Sequence, residues 1–248
     1  MYYHRKIIIS GKFIELYEYE KTLRRDFTRK KKKRPDPVQE ELDARIDPEP
    51  SAGSKQVEKR KDSISRTRTE IRRLINCNQD FTKFYTLTFK ENITDVKIAN
   101  KHFSKFIMRM EYRYEDFKYV SVIEFQKRGA VHYHFLCNLP YIKSKEVETI
   151  WGFGFIKIKR IQHVTNLGAY VCKYLQKDMT DGRLFNKKKY FCSKNLDRPT
   201  EIYDDQIVGQ LIAQYGLESA AVEYESTFSG EYTGKVEYKQ FRLEGIDA

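Results

Sequence analysis

The chain has 248 residues, 33% of them charged and 14% aromatic, with a formal net charge of +12 and a pI near 9.3. Four scattered cysteines, Cys77, Cys137, Cys172 and Cys192, form no C-x-x-C pair, which argues against a zinc ribbon or a disulfide framework and for a reducing cytoplasmic setting. No apolar run approaches the roughly 18 residues of a membrane span, and the N-terminal residues lack a secretory apolar segment. Basic and aromatic surface together suit a polymer of phosphates and bases, so nucleic acid is the first partner to consider. Many basic proteins bind nothing, so charge alone does not decide it.

In chain order, KIIISGKFIELYEYE (6–20) reads as two strands turning at Ser10-Gly11, and residues 1–23 as an N-terminal β-hairpin. Residues 24–55 carry the run Arg29 to Arg34 and several prolines, and are too poor in large apolar residues to order alone, so they read as a charged linker. A basic helix is expected over 56–76, with Ile64, Ile71, Leu74 and Ile75 near helical spacing. Phe84 to Phe89 is a strand. Val96, Ala99, Phe103, Phe106, Ile107 and Met110 mark the inner face of a helix over 95–112. Residues 118–126 and 130–139 form a hairpin, and 144–150 a short helix with Ser144 as its N-cap. GFIKIKRI (154–161) alternates as a strand, and 166–178 is a helix. A helix over 204–215 and two strands joined by SGEYTG make a C-terminal extension over 201–248. This interleaving predicts an α+β fold, with a largely antiparallel sheet of about five strands covered on one face by helices.

Two of the five histidines lie in VIEFQKRGAVHYHFL (122–136). In a strand, His132 and His134 project from one face and Tyr133 from the other. If Lys127-Arg128-Gly129 is a three-residue loop, Glu124 lies opposite His132, and two imidazoles and a carboxylate converge. A loop of even length would send Glu124 to the other face, and Gln126 stays open as the third ligand. Such a set leaves positions on a divalent ion open to a substrate oxygen. Zinc is the competing metal.

After Asn166, a good N-cap, Tyr170 and Tyr174 share a helical stripe with Lys173 and Lys177 beside them, while Val171 and Leu175 form an apolar stripe. The plain reading is that the tyrosines cover the edge of the core. The chemical reading is a nucleophile: flanking lysines favour phenolate and neutralise phosphate.

The strand Phe84 to Phe89, then His132-Tyr133-His134, then Tyr170-x-x-Lys173-Tyr174, together resemble the HUH endonucleases, in the order used by two-tyrosine rolling-circle replication initiators of bacterial plasmids and phages. The resemblance covers about 64–199, including Trp151-Gly152-Phe153-Gly154 and Ser193-Lys194-Asn195-Leu196, and implies an HUH endonuclease domain, of ferredoxin-like fold, over 56–200. It implies that Glu124, His132 and His134 hold Mg²⁺ or Mn²⁺, that Tyr170 attacks single-stranded or supercoiled origin DNA to leave a 5′-phosphotyrosine, that Tyr174 serves a second cleavage or joining, and that Lys173 orients the phosphate. Gly230 to Lys235 lacks the spacing of an ATP-binding loop. A host helicase and polymerase are therefore implied partners. The alternatives are a non-catalytic DNA- or RNA-binding protein and an HUH transposase or relaxase.

Overall fold

The computed structural model describes residues 1–25, 53–161, 166–178, 181–184 and 187–243, and for 53–62 and 173–178 the backbone alone. Most of the expected linker, residues 26–52, lies outside the described residues. The chain divides into two compact units: Met1–Ile8, Ile14–Ser63 and Glu201–Arg242, and Ile9–Phe13, Ile64–Thr200 and Leu243–Ala248.

The strands are β1 (Tyr2–Ser10), β2 (Phe13–Arg24), β3 (Lys83–Phe89), β4 (Tyr119–Phe125), β5 (Val131–Cys137), β6 (Gly154–Arg160), β7 (Tyr190–Cys192), β8 (Thr200–Ile202), β9 (Val222–Gly230) and β10 (Gly234–Arg242). The helices are α1 (Gly53–Cys77), α2 (Val96–Arg113), α3 (Ser144–Trp151), α4 (Leu167–Asp178) and α5 (Asp205–Gln214). The result is α+β, with two antiparallel five-stranded sheets ordered β6-β3-β5-β4-β7 and β8-β1-β2-β10-β9.

In the larger unit helices cover both faces of the sheet, where the sequence pattern led us to expect one. On one face α2 and α3 pack Phe103, Phe106 and Trp151 against Tyr85, Tyr133 and Phe135. On the other, Ile71 and Ile75 of α1 and Val171 and Cys172 of α4 meet Phe84, Val120, Val122 and Leu136. The reason lies in β5, all seven residues of which are buried. A central strand sandwiched between helices needs apolar or paired side chains on both sides, and VHYHFLC supplies them.

The inner face of α2 is the expected set, Val96, Ala99, Phe103, Phe106, Ile107 and Met110, and Asp95 caps the helix by accepting from the Lys97 amide. One cap differs from expectation. Ser144 is the first helical residue of α3, and extended Lys143 is the cap, with no side-chain hydrogen bond. The short strands β7 and β8 were not foreseen: at three residues each, they carry too little alternation to register as a pattern.

In the smaller unit, Asp204 caps α5 by accepting from the Gln206 and Ile207 amides. The Asp205 carboxylate accepts from the backbone amides of His4 and Arg5. Val208 and Ile212 of α5, with Ile7, Ile8, Ile14 and Val236 of the sheet, are buried.

Candidate active site

The β4–β5 hairpin sets the geometry. The Gln126 amide donates to the Ala130 carbonyl at 2.9 Å and the Gly129 amide to the Gln126 carbonyl at 2.8 Å, closing a three-residue loop. Gly129 sits at φ 88°, a left-handed conformation that a Cβ would strain. The odd loop makes Glu124 the cross-strand partner of His132, with Val122 opposite His134. On the other side of β5, Thr88 pairs with His132 and Thr86 with His134. The loop is clamped from outside. The Arg183 guanidinium stacks 3.6 Å above the Phe125 ring, donates to the Gly129 carbonyl at 2.8 Å and is itself gripped by Asp181 at 2.7 Å.

The two histidines sit in different electrostatic positions. His134 Nδ1 lies 3.0 Å from Thr86 Oγ1, and its Nε2 bonds the Glu124 carboxylate. Together these bonds fit the tautomer with the proton on Nε2 and the threonine hydroxyl donating to Nδ1. His132 is buried, and its Nε2 has no hydrogen-bond partner among the described residues. Burial, seconded by the neighbouring His134, pushes its pKa down to about 4, so at neutral pH the ring is an uncharged donor of an electron pair. The ring centroids stand 6.5 Å apart. As they stand, no three His, Cys, Asp or Glu side chains among the described residues are grouped to hold an ion, and the Glu124 carboxylate is closed onto His134. In donor chemistry the set still suits a divalent cation: a buried, uncharged and unpartnered imidazole, a second imidazole and a half-exposed carboxylate.

α4 brings Tyr170 to the same face. Asn166 Oδ1 accepts from the Ala169 amide at 2.9 Å and so starts the helix. Gly168 lets it press on α1, since a Cβ there would meet Asn76 Oδ1 at 2.5 Å and the Arg72 carbonyl at 2.8 Å. The half-buried Tyr170 presents its edge to Phe84, centroids 6.5 Å apart, and Phe84 stacks on His134 at 5.4 Å. Phe84 thus touches both Tyr170 and His134, a link that strand alternation alone did not reveal. The side chains of Lys173 and Tyr174 lie outside the described residues, although the helical backbone continues to Asp178.

The same face continues to the sheet edge. Register sets Phe155 of β6 beside Thr88, Lys157 beside Thr86 and Lys159 beside Phe84. Both lysines are exposed, and Phe155 is 59% exposed. Charge is concentrated in this unit. Residues 64–200 hold 27 Lys and Arg against 13 Asp and Glu, whereas 1–25 and 201–242 together hold 9 against 11.

Residues 82–179 match the family model for the ORF2-type replication-associated protein. The chain is also similar to the Phasyl DNA replicon protein arp of Escherichia coli, 28% identical over 125 residues, covering 38% of this chain and 42% of that protein. It therefore spans about two fifths of the length of that relative. No solved structure matches. Among the described residues no helix is long and apolar enough to cross a membrane. The matched segment contains β3, the histidine hairpin and α4.

Proposed function

We propose that the protein nicks and rejoins single-stranded origin DNA through a 5′-phosphotyrosine, as a rolling-circle replication initiator. One observation carries the reading: Glu124, His132 and His134 occupy adjacent register positions on the sheet face where α4 presents Tyr170, and Phe84 is in ring contact with both Tyr170 and His134.

In this mechanism the Tyr170 Oη attacks phosphorus and loses its proton as the new P–O bond forms. The P–O3′ bond breaks, and the departing 3′ oxygen takes up a proton to become the hydroxyl that primes synthesis. Lys173 offsets phosphate charge, and Tyr174 takes the same role for a second cleavage or the final joining. His132, His134 and Glu124 would hold Mg²⁺ or Mn²⁺, which when bound supplies positive charge to the phosphoryl oxygens. Thr86 holds the His134 ring in position. Phe155, Lys157 and Lys159 offer the strand a stacking surface and phosphate contacts beside the site. Host helicase and polymerase would follow the nick.

A labelled single-stranded origin oligonucleotide incubated with the protein and Mn²⁺, run on a denaturing gel, tests the assignment. Tyr170→Phe is expected to abolish the protein–DNA adduct, and Tyr174→Phe to spare first-strand cleavage. A full adduct from Tyr170→Phe would remove Tyr170 as the nucleophile. A second reading, a non-catalytic nucleic-acid-binding module, draws on the two bonds that satisfy His134 as a core histidine would be satisfied. It requires binding indifferent to EDTA and no covalent product. The unpartnered Nε2 of His132 favours the first reading.

A further inference from the structure

Among the described residues the two sheets have four edges, and three of them are blunted. β7 and β8 are three residues long, too short to template another strand. β6 carries Lys157, Lys159 and Arg160 along its length, and edge lysines discourage pairing. The fourth edge, β9, is treated differently. It runs for nine residues without lysine, arginine or proline, and eight of the nine are exposed.

One of its two exposed faces is apolar. Phe228 and Ser226 of β9 pair with Val236 and Tyr238 of β10, which are buried, whereas Tyr224 and Phe228 on that same face of β9 are 56% and 48% exposed, and the regular pairing ends at Tyr224, where the register shifts before Val222. The core face of this sheet therefore continues onto an uncovered strand.

We propose that β9 is a dimerisation edge, pairing antiparallel with β9 of a second copy to extend the sheet. The strand is self-complementary about its midpoint. With Ser226 opposite Ser226 of the second copy, Tyr224 faces Phe228 and Glu225 faces Thr227 over the regular stretch 224–228. Two aromatic pairs form, and no glutamate meets a glutamate. Directly opposed aromatic pairs stabilise a sheet, and opposed like charges destabilise it. A two-fold axis through Ser226 closes the assembly at two copies. Nucleic acid does not fit this edge, because β9 bears two glutamates and no cation.

Sedimentation velocity of the full chain across the micromolar range is expected to show a concentration-dependent species at twice the 29.7 kDa chain mass. Thr227→Glu sets like charges opposite each other twice, at Glu225, and should shift the dissociation midpoint about tenfold toward higher concentration. Thr227→Lys, which sets opposite charges there, should leave the dimer intact or tighten it, whereas a merely protective edge lysine would dissolve it. Ser226→Cys should cross-link to itself under mild oxidation and Ser229→Cys should not, with circular dichroism reporting that each variant is folded. A chain that stays monomeric, leaving the edge to an extended peptide of another protein, would overturn the proposal. So would open-ended aggregation, or a dimer insensitive to Thr227→Glu.

Discussion

His132 and Gly168 show how single residues carry the site. A buried imidazole nitrogen without a partner is costly, on the order of 1–3 kcal/mol. Under the proposed function that nitrogen is a ligand atom, and the stability of a variant without it decides between ligand and packing. His132→Phe is accordingly expected to keep the protein folded, with a melting temperature equal to or above that of wild type, while removing the DNA adduct. A clear loss of stability would mark the histidine as structural. Gly168 acts through space alone. Gly168→Ala adds a methyl group inside contact distance of the Arg72 carbonyl, so α4 must lift from α1. The expected cost is about 1–3 kcal/mol, read as a lowered melting temperature, together with a weaker adduct because Tyr170 moves with the helix. The hairpin register of Glu124 and His132 was legible in Lys127-Arg128-Gly129, because a three-residue loop ending in glycine has few solutions. The contact of the Phe84 ring with both His134 and Tyr170 was not, since it depends on how α4 packs on the sheet.

Among the elements, the hairpin and its clamp are the most informative. Arg183 belongs to no motif. It follows α4 by only a few residues, yet its guanidinium holds the tip of β4–β5 through Phe125 and the Gly129 carbonyl. Arg183→Ala should loosen the tip, seen as faster hydrogen exchange at the Gly129 and Val131 amides. It should lower adduct yield without touching a reacting group. The Arg183 bond, opposed by burial, holds the Asp181 carboxyl below its ordinary range. A depressed carboxylate pKa adds stability that is complete above the unfolded value near 4 and is lost as pH falls through the folded value. Thermal melts of wild type and Asp181→Asn should therefore differ at neutral pH and converge on acidification. The helices and long strands were readable from their periods. β7 was not, because a three-residue strand exists only by virtue of the β4 edge it joins.

At the scale of the whole molecule, the distribution of charge says more than its total. The excess of cations lies over residues 64–200, the unit to which the proposed function assigns the DNA strand, while the sheet containing β9 is slightly acidic. Single-stranded DNA affinity should fall steeply with salt, and replacing Lys157 and Lys159 with glutamine should reduce the slope of log affinity against log salt by roughly 0.7 per lysine. An unchanged slope, measured by fluorescence anisotropy, would take the strand off β6. The sequence by itself determined the helical and strand periods, the paired face of His132 and His134 and the basic balance, because each follows from local spacing or from a sum over residues. Only the tertiary structure decided that helices cover both faces of the sheet in the larger unit, that Phe84 touches both histidine and tyrosine, that Glu124 closes on His134 and that, among the described residues, β9 ends its sheet uncovered. Each of these depends on which distant segments meet, and chain-local pattern carries no record of that.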